Sequence, residues 1–302
     1  MRRFAYVAVI VAELAGAVRV CAVSPELPSL RRSDGVELRV SHENTLPELI
    51  LTLPGYAAGD KAARILFPEH VTAKRKQSSS VEHLYMFREG METARPVWRK
   101  VGDSLEYSLD LEGGVHMVAR ATLQSDGILF HYEFVNRAGY PFEMIYAVTD
   151  PRFKTVLRDV RLERTYVHHM TGFELLASET PERLTEPLEK WLPARYLAAY
   201  TWPVPKEHVE HRHDGITYYN KSRAVDEPLI ATISSDGRWV AASFTRTTGN
   251  VWSNPDLTCQ HVDPQKALPS DGTITLETKL LLLNGTLNDV QERFVQQRDT
   301  LK

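Results

Sequence analysis

The thirteen residues SNPDLTCQHVDPQ, 253–265, bring together carboxamides, two carboxylates, a thiol and an imidazole. Cys259, His261 and Asp263 alternate, so in an extended segment all three side chains face one side. A thiol beside an imidazole is the start of a cysteine nucleophile, but such pairs need a third orienting group and commonly come from separate segments. A lone cysteine is more often a small buried hydrophobe. His261 is the better candidate, because an imidazole near its ordinary pKa carries a proton in either direction. Trp252 and Asn254 are sugar-contact types: an indole face stacks on a pyranose and an amide reads its hydroxyls. Asp263 adds an acceptor for hydroxyl groups. The alternative for Trp252 is a place in the core.

Four further clusters offer chemistry. In HVEHRHDG, 208–215, His211 and His213 share a side if the segment is extended, and His208 lies close by. Imidazoles so placed are candidate ligands for a divalent transition metal, although the spacing matches no zinc motif and an exposed polar loop is the simpler reading. In YVHHMTG, 166–172, His168 and His169 face opposite sides of a strand, and either is a candidate acid or base. Arg164, Tyr166 and His168 form one polar stripe, which suits a carboxylated sugar if that face is not simply the wet one. In GITYYN one tyrosine of the pair faces inward. Tyr219 is taken as the candidate, since a phenol can serve as acid or base in an elimination. Trp98, with His83, Arg88 and Arg99, forms a rim that would suit an anionic sugar, or a solvated sheet edge. Glycine-rich phosphate loops, G-x-S-x-G and dinucleotide fingerprints are absent, so a divalent metal is the one cofactor the residues imply.

Strands must position these groups. Alternation marks 35–41, 47–53, 104–111, 115–123, 127–136, 142–148, 162–169, 172–177, 215–220, 228–234, 237–246 and 273–283. SDG at 125–127 and SSDG at 234–237 read as hairpin turns. Helices are expected only at 185–192 and at 286–297. In the latter, Thr286 caps, Asp289 follows three residues later, and Leu287, Val290 and Phe294 share a face. The prolines of 178–214 mark a long irregular segment, which in a compact domain is often functional. The expectation is an all-β antiparallel protein, a single domain over 23–302 closed by a C-terminal helix.

A net charge of −3 without long basic runs gives nucleic acid no electrostatic footprint. The first residues, MRRFAYVAVIVAELAGAVRVCAVS, pair two arginines with an apolar run and small residues before Ala17 or Ala22. That is the pattern of a signal peptide over 1–22, so a periplasmic or extracellular protein is expected, with no membrane contact after processing. The two cysteines exclude a disulfide framework.

The order of YEFVNRAGYPFEMIYAVTDPRF, LERTYV, SSDGRWVAASF, VWSNPDLTCQHVDP and LPSDGTITLETKLLLLNGTLNDV resembles the galactose-mutarotase-like β-supersandwich group over about residues 95–300. The resemblance implies a supersandwich with a concave sheet face that accommodates a carbohydrate. Aldose epimerases of that group use a late glutamate as base and a mid-chain histidine as acid. TCQHVDPQ has no glutamate and carries His261 and Asp263 instead, which puts mutarotase activity in doubt. Two readings follow. One is an exported carbohydrate-active protein using histidine-based proton transfer in epimerisation, elimination or hydrolysis. The other is a non-catalytic saccharide-binding or structural protein.

Overall fold

The computed structural model describes residues 27–302 except 44, 58, 85, 87–94 and 181. The expected leader, 1–22, and Arg88 lie outside the described residues.

Strand Gly127–Asn136 shows how the pattern becomes a sheet. Ile128, Phe130, Tyr132 and Phe134 are buried on one face, and the alternate residues turn to the other. Tyr132 pairs with Ala119 on one side and Leu276 on the other. These three strands are the centre of a nine-stranded antiparallel sheet. Its order is Gly172–Leu175, Thr165–His169, Leu229–Ile233, Val240–Phe244, Thr273–Leu283, Gly127–Asn136, Val115–Gln124, Ser104–Leu111 and Arg99–Val101. A five-stranded sheet faces it, bringing Leu38, Val40, Leu49, Leu51 and Ile65 into the same core. Burying Phe130 and Phe134 stabilises the sandwich by about 2 kcal/mol each.

The helix Leu287–Gln297 closes the far side, setting Val290 and Phe294 against Phe244 and Leu281. Its capping box is formed as expected: the Thr286 hydroxyl accepts from the Asp289 amide, and the Asp289 carboxylate accepts from the Thr286 amide. The helix expected at 185–192 is instead two short turns, Glu182–Thr185 and Leu188–Trp191. Pro187 separates them, because it disfavours helical backbone in the residue before it and has no N–H for an intrahelical bond.

Two small sheets complete the molecule. One runs Lys266–Leu268, Phe142–Ala147, Val71–Arg75, Glu82–His83. The other runs Val209–His211, Thr217–Asn220, Ala194–Ala199, Asn250–Ser253. The second contains a parallel pair, Ala194–Ala199 beside Thr217–Asn220. Strands Ala63–Leu66, Val71–Arg75, Asp150–Phe153, Ala194–Ala199 and Asn250–Ser253 were not among the expected ones. Each has six residues or fewer, too few alternations to declare itself.

Trp98 does not form an anion-binding rim. It packs 4.6 Å from the Tyr107 ring and 6.4 Å from Phe67, against the main core.

Candidate functional site

The parallel pair and its antiparallel neighbour build one wall of a cleft. Along Ala194–Ala199, Ala194, Tyr196 and Ala198 enter a second core while Arg195 and Leu197 face the cleft. Register sets Arg195 beside Tyr218, and Leu197 beside Trp252. Tyr218 and Asn220 therefore face the cleft, as do Asn250 and Trp252. Tyr146 comes from the other small sheet, and Trp202, Pro205 and Arg212 come from the irregular segment. The enclosed volume is about 380 Å³, within the range of small-molecule sites.

The stretch 253–265 is the floor. Trp252 and His261 form an isolated antiparallel bridge: Trp252 N–H donates to the His261 carbonyl at 3.2 Å and His261 N–H to the Trp252 carbonyl at 3.0 Å. Their rings stack at 3.7 Å with 3° between planes. A second bridge, Cys259 to Arg152, fastens the segment to strand Asp150–Phe153. His261 Nε2 lies 3.4 Å from Asp150 Oδ1, and its Nδ1 lies 3.4 Å from Asp263 Oδ2. One donor atom from each of Asp150, Cys259 and His261 falls within 4.8 Å of the others.

Electrostatics in this floor are strong. Burial opposes a charge on His261, but Cys259 and the Asp150 and Asp263 carboxylates outweigh it and push its pKa well above the ordinary imidazole value. Burial works against the Asp150 carboxylate too, yet His261 and Arg152 hold its pKa below the usual range. Burial raises Asp263 and the Cys259 thiol.

His261 is only 1% exposed and lies beneath Trp252, so it does not reach a ligand in the cleft. Asp263 does line the cleft. Trp252 lines it as well, but its ring already stacks on His261 and has the Arg195 guanidinium 5.1 Å from its centroid. The open aromatic face belongs to Trp202, which is 51% exposed at the rim. Arg195 Nη1 donates to the Tyr218 hydroxyl at 2.6 Å, while Nε, buried, has no partner. Arg212 lies 3.7 Å over the Tyr218 ring.

The other sequence candidates lie elsewhere. Tyr219 faces away from the cleft and stacks on Tyr196 at 4.8 Å; alternation gives Tyr218, not Tyr219, to the site. His168 pairs with Asp226 at 2.8 Å, and His169 donates to the Ala224 carbonyl at 3.0 Å. Both belong to the edge region of the large sheet. Arg164 donates to the Ile233 and Arg158 carbonyls and so clamps a turn instead of facing a carboxylated sugar. Asn254 makes a local turn, its side chain accepting from the Asp256 amide. The three histidines of 208–213 do not converge. His208 places both ring nitrogens against backbone carbonyls, of Asn220 and Glu179, His211 contacts Thr217, and His213 sits in an exposed turn. Among the described residues, the donor group of metal-ligating spacing is Asp150, Cys259 and His261.

Arg195, Trp202, Arg212 and Asp150 are not among the residues the sequence points to, and Tyr218 is legible there only as one of the pair with Tyr219.

No family model and no curated protein matches the sequence. Solved structures of similar shape include a galactose mutarotase-like protein from Lactobacillus casei, 11% identical with a TM-score of 0.47, covering 85% of this chain and 100% of that one. A putative aldose 1-epimerase from Escherichia coli is 10% identical with a TM-score of 0.45, over 86% and 99%. An alpha-N-acetylgalactosaminidase from Bifidobacterium bifidum is 10% identical with a TM-score of 0.46, over 88% of this chain and 38% of that one. The first carries the group name that the motif order resembles. At these identities the likeness is one of shape and gives this chain no activity.

Proposed function

We propose that this protein binds a saccharide in the cleft between Trp202 and Trp252. One observation carries the reading: a half-exposed indole at the rim and hydrogen-bonding side chains beneath it share a single cleft. An aromatic face takes the apolar side of a sugar ring, and Arg195, Asn250, Asp263 and Gln265 supply donors and acceptors for its hydroxyls. The leader pattern of residues 1–22 supports export, and the mass of the protein recovered after expression with that segment tests cleavage.

Histidine-based proton transfer at the ligand is not supported, because no histidine is among the lining residues. Hydrolysis is not supported either: it uses a pair of carboxyl groups across the bond, and Asp263 is the one carboxylate among the lining residues. Tyr218 and Arg195, the phenol and guanidinium that an elimination would use, do line the cleft, so an assay for released products decides between binding and turnover. Calorimetric titration of neutral and acidic mono- and oligosaccharides, with wild type and Trp202→Ala, tests the binding itself. Expected is binding to a subset of the panel that Trp202→Ala weakens. No binding to any member overturns the reading. Reducing ends or unsaturated products released from the same panel would replace it with an enzymatic one.

A further inference from the structure

We infer that Asp150, Cys259 and His261 form a site for a borderline-soft divalent cation of the zinc class, behind the cleft. This goes beyond saccharide binding and does not rest on it. The donors are a carboxylate, a thiol and an imidazole, each residue at most 2% exposed, with ligand atoms within 4.8 Å of one another. A thiolate with an imidazole selects zinc-like ions over calcium or magnesium, which take oxygen ligands.

The spacing is informative. Asp150 Oδ1 and His261 Nε2 are 3.4 Å apart, longer than an ordinary hydrogen bond, and buried Oδ1 has no hydrogen-bond partner. Two donors each about 2.0–2.1 Å from a tetrahedral metal stand roughly 3.3–3.4 Å apart. The outer atoms are also arranged as around a metal. Asp150 Oδ2, not Oδ1, accepts from Arg152 Nε at 2.5 Å. His261 Nδ1, buried and without a hydrogen-bond partner, faces the Asp263 carboxylate at 3.4 Å. Cys259 Sγ accepts from the Asn254 amide at 3.2 Å. The hydrogen bonds from Arg152 and Asn254 fix the orientation of the carboxylate and the thiol, as such partners do for metal ligands. A bound ion would join strand Asp150–Phe153 to segment 258–263, where one isolated bridge now does so. Its place is structural: it holds His261, and through the stacked rings Trp252, at the cleft floor.

The test uses the full chain purified from zinc-supplemented medium. Elemental analysis should find one zinc per chain, and chelator should lower Tm by roughly 10 °C. Replacing zinc with cobalt should give a thiolate-to-cobalt charge-transfer band in the near ultraviolet, a readout on wild-type protein that needs no variant to fold. Cys259→Ser should abolish the band and the stoichiometric zinc; His211→Ala should leave both unchanged. Protein without metal, without a chelator response and without the cobalt band overturns the proposal, as does a cobalt band or full zinc content that survives in Cys259→Ser. Saccharide titration of the same samples reports separately on the cleft.

Discussion

Replacing Gly249 by alanine perturbs the cleft from beneath without touching a polar group. The Gly249 carbonyl accepts from the amides of Tyr200, Thr201 and Trp202, each at 3.0 Å, which folds the Trp202 ring down over the glycine. A β-carbon at 249 would stand 2.2 Å from Trp202 Cε2 and 2.4 Å from Nε1. Ordinary contact begins near 3.4 Å, so the ring must retreat by roughly 1.2 Å. Gly249 is not among the residues with left-handed backbone, so alanine meets the ring and no backbone strain. Trp202 is half exposed and can swing outward, and the effect on stability should stay within about 1 kcal/mol. Saccharide binding should suffer more. Losing a tryptophan anchor costs about 2 kcal/mol, roughly thirtyfold in Kd. Calorimetric titration of Gly249→Ala, Trp202→Ala and the double variant forms a cycle. Both substitutions remove one ring from one place, so the double variant should lose no more than either single one, a coupling of about 2 kcal/mol. Wild-type affinity in Gly249→Ala, or losses that add, would refute the placement of Trp202 as the platform.

Further substitutions separate the cleft from the scaffold. Tyr218→Phe removes the hydroxyl that accepts from Arg195 and donates to Asp214, and should weaken binding about fivefold; Tyr219→Phe, which keeps its stack on Tyr196, should bind as wild type in the same titration. Asp126→Asn leaves Lys279, 1% exposed, without its charged partner at 2.6 Å, and urea unfolding should show a loss of about 3–5 kcal/mol. Burial opposes the Glu174 carboxylate, but hydrogen bonds from Lys221, Ser178 and Arg223 hold its pKa at about 2. A depressed carboxylate pKa adds stability that is present above its ordinary value of 4.5 and lost as pH falls through about 2. Glu174→Gln should therefore flatten the Tm decline over that acid window, modestly, because Glu174 is a quarter exposed.

The long strands and the capped helix were legible because each carries its own period. Gly127–Asn136 and Thr273–Leu283 match the expected spans to the residue, and the spacing of Thr286 and Asp289 states the cap of the last helix. The site was legible only in part, for a reason of pairing. Alternation within 253–265 correctly places Cys259, His261 and Asp263 on one side, but no local pattern says that Asp150, more than a hundred residues earlier, faces them. Period two also says that Tyr218 and Tyr219 oppose one another without saying which is inside. That choice is made by the parallel register with Ala194–Ala199, which sets Arg195 beside Tyr218 and Tyr196 beside Tyr219. A polar stripe such as Arg164, Tyr166 and His168 misleads for the same reason: its face is decided by what packs against it, and there the partners are backbone carbonyls and Asp226. The histidines of 208–213 are close in sequence, yet His208 is held by the Asn220 and Glu179 carbonyls, His211 by Thr217, and His213 lies in an exposed turn. His261, with no histidine near it in sequence, meets Asp150 and Cys259 because two isolated bridges fold its segment across two sheets. Convergence of this kind is a property of register between distant strands, and the residues that disclose it are the ones left with unpartnered buried atoms, Asp150 and His261 in the floor and Arg195 and Asn220 in the wall.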